Sequence, residues 1–161
     1  MSKKVKNFLG FLWASPVSVL GWLLGLFLLV TGQVQSFKRQ RDWTFVWDLK
    51  NDGWFQRKTM ELRGWAGFSF GNNIFVKDVD KDRWMSTLIH EGAHCHQWYA
   101  LGILFPLVYI GESVRIYFFE KDKHSYYDNR FEVEARKAAG QPVFIPRSRW
   151  KDGYGDRWAW W

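Results

Sequence analysis

His90-Glu91-Gly92-Ala93-His94 sets two histidines four residues apart, with a glutamate directly after the first. On a helix, residues four apart stand one above the other on the same face. Both imidazoles can therefore reach a single Zn²⁺. Glu91 lies one step round the helix, where its carboxylate can act as general base towards a water at the metal. The competing reading is an amphipathic helix with two surface histidines and an ordinary glutamate. The chain has only four histidines, which makes an accidental match to this spacing improbable.

The flanking residues extend the motif into a helix. Asp80-Lys81-Asp82 supplies starting chemistry and Gly102 a stop, predicting a helix from Asp82 to Leu101. Trp84, Leu88, Ile89, Ala93 and Trp98 give it a broad apolar surface. His96 is two residues past His94 and points off the ligand face, to a supporting or surface position. Cys95 is misdirected in the same way and reads as a buried structural thiol.

The chain has 161 residues, enough for one modest domain, and is rich in tryptophan, with 12. A formal net charge of +7 favours anionic surfaces: phospholipid head groups, nucleic acid or acidic polymers. A single cysteine excludes an intramolecular disulfide.

No charged residue falls between Lys6 and Lys38, and Phe8 to Val30 is dominated by Leu, Phe, Val, Trp and Gly. A bilayer core needs about 20 apolar residues as a helix, so this run is long enough to span, with Pro16 as a point for a kink. A cleaved signal peptide, with Lys3, Lys4 and Lys6 as its basic end, is the rival. The run is too long for that, and Thr31-Gly32-Gln33 is a poor cleavage site. The expected organisation is an N-terminal membrane anchor over residues 1–36 and a second unit over 37–161. Basic residues flank both ends of the run (Lys38, Arg39 and Arg41 on the far side), which leaves its orientation open.

Between anchor and motif the pattern turns to strands. Trp43 to Trp47 is β-rich, and Asn51-Asp52-Gly53 is a turn leading to Trp54-Phe55. Gly67 to Gly71 alternates, Asn72-Asn73 turns, and Ile74 to Val76 resumes. The expectation is a small antiparallel sheet of about three strands packed on the metal helix. An edge strand there could hold an extended peptide by backbone hydrogen bonds; the plainer reading is core sheet.

A catalytic zinc site keeps three protein ligands. Tyr126 to Gly140 reads as a second helix, with Ser125 as its cap, Asp128 three residues on, and Gly140 as its stop. Glu132 and Glu134 are the candidate third ligands and lie about 200° apart round the helix. Ala135 and Ala139 share the side of Glu132 and would let another helix approach, which favours Glu132. Leu101 to Ile110 is too short to span a bilayer as a helix. It reads as buried core or as a segment at the membrane interface. The tail from Arg147 to Trp161 holds Arg147, Arg149, Lys151, Arg157 and four tryptophans. It resembles an interfacial anchor more than a base-stacking platform, and no nucleic-acid partner is expected.

His90-Glu91-x-x-His94 followed by Glu132-x-x-Ala135 resembles the gluzincin metallopeptidases, membrane-embedded members above all. Their pattern is matched by Gly67, Phe68 and Gly71 before the motif and by Gln97, Leu101 and Gly102 after it. The resemblance covers roughly residues 67–140. It implies an α+β, zincin-like fold, one zinc ion held by His90, His94 and Glu132, and peptide-bond hydrolysis with Glu91 as base. The sequence departs from the pattern at Arg136, where the family has an Asp that commonly orients a ligating histidine; Asp128 or Glu134 would have to replace it. His124, Tyr126 and Tyr127 are candidates for a donor to the developing oxyanion, against the plainer reading of surface tyrosines. The expected protein is a membrane-anchored zinc metallopeptidase acting on a peptide or protein substrate. The alternative is a catalytically silent zinc-fold membrane protein serving as a structural or binding module.

Overall fold

Alternating β-branched and aromatic residues in Phe45–Leu49 and Asn73–Lys77 give strands that are buried on both faces. In the computed structural model, which describes residues 3–40, 43–61, 64–77 and 81–152, they are the two central strands of an α+β fold. The strands are β1 (Val34–Arg39), β2 (Phe45–Leu49), β3 (Gly67–Phe70) and β4 (Asn73–Lys77), in the order β1-β2-β4-β3. The β1/β2 and β3/β4 pairs are antiparallel, whereas β2 and β4 run parallel, from Phe45 opposite Asn73 to Leu49 opposite Lys77.

The sheet is therefore mixed and four-stranded, not antiparallel and three-stranded as expected. Two features account for the difference. Strand β1 is polar along most of its length and directly follows the apolar run, so no alternation marks it. The parallel pairing needs a crossover, which residues 50–72 provide. Within that crossover Trp54-Phe55 is helical: α3 (Trp54–Gln56) continues into a wider turn at Arg57–Glu61. At the β3–β4 hairpin, Gly71 takes the left-handed φ of +63° that a two-residue turn with glycine first requires.

Helices cover both sheet faces. Trp47, Leu49 and Phe75 face α2 (Ser15–Val30) and pack with Leu28, Val34 and Met60. Val46, Ile74 and Val76 face α4 (Lys81–Leu101) and pack with Leu88 and Cys95. The α4 boundaries match the sequence expectation, although Asp80 lies outside the described residues. Cys95 is buried as expected, and burial, reinforced by the Glu91 charge, pushes its thiol pKa up. His96 is exposed and packs only edge-on to Tyr99.

The N-terminal apolar run forms two helices, α1 (Lys3–Trp13) and α2, bent by 73° at Ala14, with Pro16 in the first turn of α2. The bent pair is apolar enough to cross a membrane, as is the stretch Arg83–Phe119, by length and composition alone. One stripe of α2 (Val17, Ser18, Gly21, Gly25 and Leu28) is buried, while Val19, Leu20, Leu23, Phe27 and Val30 are exposed. A Cβ at Gly25 would stand 2.4 Å from the Trp47 ring, and one at Gly21 would stand 2.6 Å from Phe70 O. Glycine thus lets α2 lie directly on the sheet. The boundary drawn at residue 36 falls inside β1. Gly25→Val is expected to destabilise the whole domain by about 1–3 kcal/mol. Thermal unfolding in detergent measures this, and an unchanged midpoint would mean that α2 does not bear on the sheet.

After α4, one tight turn (Gly102–Leu104) leads into α5 (Phe105–Phe119), then α6 (Arg130–Ala138). The buried-core reading of residues 101–110 holds for one side of this segment. Phe105 and Tyr109 are buried, whereas Ile103, Leu104, Leu107 and Ile110 are exposed. Helix α6 starts later than expected. Its cap is Asn129, whose Oδ1 accepts from Phe131 N at 3.0 Å. Ser125 cannot serve because residues 124–128 are tied in a turn: His124 Nδ1 accepts from the backbone N–H of Tyr126 and Tyr127, and Asp128 accepts from His124 N. Gly140, at φ +65°, ends the helix as expected. Of the Trp-rich tail, Trp150 packs on His124; the residues beyond Asp152 lie outside the described ones.

Candidate metal centre

Helix α4 brings His90 and His94 onto one face, and their Nε2 atoms stand 3.2 Å apart. Helix α6 crosses that face. Its small residues allow the close approach, Ala135 being fully buried. Glu132 is thereby placed with Oε2 3.3 Å from His90 Nε2 and Oε1 3.2 Å from His94 Nε2. Ligand atoms of all three residues lie within 4.8 Å of one another, close enough to hold a metal ion.

Hydrogen bonds behind the imidazoles decide which nitrogens face inward. Gln97 Nε2 donates to Phe131 O at 3.0 Å and to Glu134 Oε2 at 3.2 Å. That orientation leaves Gln97 Oε1, an obligate acceptor, 2.7 Å from His94 Nδ1. His94 Nδ1 must carry the hydrogen, so the Nε2 lone pair of the neutral ring points at Glu132 and His90. Behind His90 stands Gln141, with Oε1 3.1 Å from Nδ1 and Nε2 donating to Ser86 Oγ at 2.9 Å. With both rings neutral and protonated at Nδ1, as metal binding requires, two imidazole lone pairs and a buried carboxylate converge on one point. Glu132 Oε2 makes no hydrogen bond, so the cluster has acceptor capacity left for a cation.

The electrostatics of the metal-free cluster agree. Burial opposes a charge on His94, but the Glu132 carboxylate outweighs it and pushes the imidazole up to about 9. Burial likewise opposes ionisation of Glu132, yet His94 and His90 hold its carboxyl well below the usual range. Without a metal, a proton has to neutralise part of this site. Burial pushes the Glu91 carboxyl up, partly offset by His94 and His90.

No family model matches the chain, and no curated protein or solved structure is similar to it.

All four residues singled out from the sequence meet here: His90, Glu91, His94 and Glu132 line one cavity of about 310 Å³. Glu134 is exposed and reaches the site only through Gln97. Asp128 accepts from His124 N and Glu134 from Gln97, so the side chains behind the two imidazoles are Gln97 and Gln141. Arg136 is buried, donates to Tyr127 O, and lies over the rings of Tyr126 and Tyr127. Of the three candidate oxyanion donors only Tyr126 lines the cavity, and His124 is fully buried in its own turn.

Two residues escaped the sequence reading. Tyr109 of α5 donates from Oη to Glu132 Oε1 at 2.8 Å. Gln141 sits just past Gly140. No periodicity marks either, because both act across element boundaries. Asn129 joins their frame: besides capping α6, its Nδ2 donates to Tyr109 O at 3.0 Å and Ser113 Oγ at 2.8 Å, tying α5 to the start of α6.

Gln97→Leu removes the acceptor that fixes the His94 tautomer. It is expected to weaken metal binding about 10- to 100-fold while the fold is kept. Competition with a chelator of known affinity measures this, and unchanged affinity would mean that Gln97 does not orient His94.

Proposed function

We propose that this protein is a membrane-anchored zinc-dependent metallopeptidase with a small zincin-like fold. The observation that carries the reading is the convergence of the two Nε2 lone pairs and the Glu132 carboxylate beside Glu91. Ligands at about 2.0–2.1 Å from a tetrahedral zinc stand about 3.3–3.4 Å apart. The His90 and His94 Nε2 atoms, 3.2 Å apart, fit that geometry, and the Glu132 carboxylate lies against both, Oε2 3.3 Å from His90 Nε2 and Oε1 3.2 Å from His94 Nε2. Two imidazoles and one carboxylate are also a donor set of catalytic zinc sites.

A zinc ion bound here supplies Lewis-acid polarisation of a scissile carbonyl and makes water acidic enough to react near neutral pH. The residues do the rest. Glu91 takes the proton of the attacking water and delivers it to the leaving amine, a role that suits a carboxyl whose pKa burial has raised. Tyr109 holds the Glu132 carboxylate in place. Gly67, Phe68 and Ser69 of β3 line the cavity, and β3 is an edge strand, so an extended substrate can pair along it. Gly67 permits this proximity: a Cβ there would stand 2.8 Å from Thr87 Cγ2 and 3.2 Å from Glu91 Cγ.

The outward stripe of α2, with the exposed Leu9, Leu12 and Trp13 of α1, serves as the bilayer anchor. Helix α4 belongs to the catalytic unit, since its apolar residues pack on the sheet and its polar ones form the site.

Metal analysis of the purified full chain beside a His94→Ala variant tests the reading. About one zinc per chain is expected in the first and almost none in the second. Equal zinc in both would end the proposal. The catalytically silent alternative gives the same metal result and parts from this reading at Glu91.

A further inference from the structure

We propose that the protein sits on one leaflet of an anionic bilayer and that no segment of it crosses. This rests on the membrane attachment in the proposed function, specifies its form, and does not involve the metal centre. The 16 residues of α2 make about 24 Å of helix, against a hydrocarbon core of about 30 Å. The sheet also lies alongside that helix from Ser18 onwards. Ser18 O accepts from Asn73 Nδ2 at 3.0 Å, Gly25 rests on the Trp47 ring, and Gln33 just past the helix bonds to Lys50 N. Placing α2 across a bilayer would draw the sheet in with it. Open sheet edges do not occur in hydrocarbon, and β1 is an edge that carries the exposed Lys38 and Arg39. Helix α4 is excluded in the same way, since it packs on the other face of the sheet. Helix α5 alone, with 15 residues, is too short to span.

What faces outward is an apolar surface with a basic border. On α1, Val5, Phe8, Leu9, Leu12 and Trp13 are exposed, at the spacing of a single helix face. That helix lies along the end of α4: a Cβ at Gly10 would stand 2.6 Å from Tyr99 Cβ, and one at Gly102 would stand 2.4 Å from Trp13 Nε1. The exposed Ile103 and Leu104 carry the surface on towards Leu107 of α5. Beside α1, the Trp43 ring packs on Phe8 and Phe11, with the Arg39 guanidinium 4.7 Å over it, and Lys6 is exposed. Trp, Lys and Arg at the border of an apolar face suit the head-group level of a membrane. Residues 1–41 hold six Lys and Arg and no Asp or Glu. That charge favours an anionic leaflet over a second copy of this chain, whose matching face would bring like charges together.

The test has two arms, both on the full chain. For topology, Lys6→Cys and Asp52→Cys are made separately, one before the apolar run and one after it, and expressed in a bacterial host. An impermeant maleimide is applied to intact and to permeabilised cells. The unsubstituted chain, whose one cysteine is buried, gives the background. The two introduced cysteines are expected to behave alike, both reacting or both protected until the cells are opened. One reacting while the other is protected would overturn the proposal, because a crossing requires that result. For the partner, the purified chain is floated with phosphatidylcholine vesicles, with and without phosphatidylglycerol. Leaving out the anionic lipid should weaken binding about tenfold. Leu9→Asp with Leu12→Asp, or Leu107→Asp alone, should weaken binding to the anionic vesicles about ten- to a hundredfold and keep the unfolding midpoint. Equal binding to both lipids, or variants that bind like the parent, would overturn the proposal. So would loss of self-association in the variants with vesicle binding unchanged, since a second copy would then be the occupant. Neither arm reads hydrolysis: a chain that holds no zinc would end the peptidase reading and leave the single-leaflet attachment standing.

Discussion

Glu91→Gln is expected to lower peptide hydrolysis by about a hundred- to ten-thousandfold, the usual worth of a positioned general base. Bound zinc should stay unchanged. The expectation follows from where the two functions sit. Metal retention depends on His90, His94 and Glu132, and on Gln97 and Gln141 behind the imidazoles. Glu91 belongs to neither set. Glutamine keeps the shape of the side chain beneath β3 and removes only its ability to take up and return a proton. It also relieves the cost of burying a carboxylate, so stability should hold or rise slightly. The paired measurement is hydrolysis of a fluorogenic peptide and zinc content on the same preparation. Full activity in a zinc-loaded variant would remove Glu91 from the chemistry and favour the silent zinc-fold protein.

Glu132→Ala and Glu134→Ala should separate just as sharply. Loss of Glu132 removes a ligand and leaves Tyr109 Oη without its acceptor. Zinc affinity should fall by more than the about 10- to 100-fold that loss of a supporting residue costs. Loss of Glu134 removes one of two acceptors that orient Gln97, and Phe131 O remains. Its effect should stay at or below that supporting range. Chelator competition on both variants gives the comparison. Equal losses would mean that α6 does not present Glu132 to the metal.

The division between the two glutamates was legible in the sequence because it depends only on helical periodicity. Ala135 and Ala139 mark the face of α6 that packs closely, and Glu132 shares it. The same is true of the α4 motif and of Leu88 and Trp98 on that helix, whereas Ile89, read as part of the same apolar surface, is exposed. What could not be read came from pairings between elements. Strand β1 is too polar to announce itself. The parallel β2–β4 register depends on a crossover that no local pattern encodes. The cap at Asn129 was masked by Ser125, an equally good capping residue that the turn at His124 takes out of play. Gln141 and Tyr109 reach the site only once α4, α5 and α6 are in place. Nor does any local pattern show that two amides, Gln97 and Gln141, stand behind the imidazoles.

The glycine seam on α2 sets a geometric limit. Only Thr31, Gly32 and Gln33 separate α2 from β1, and the Gln33 backbone is pinned at both ends, its N–H to Leu28 O and its carbonyl to Lys50 N. No slack chain therefore joins the apolar helix to the mixed sheet. With α2 as the anchor, the metal centre would sit at one height and tilt relative to the bilayer, as a tool on a fixed arm. Which bonds it can reach would be decided by depth in the membrane surface as much as by sequence.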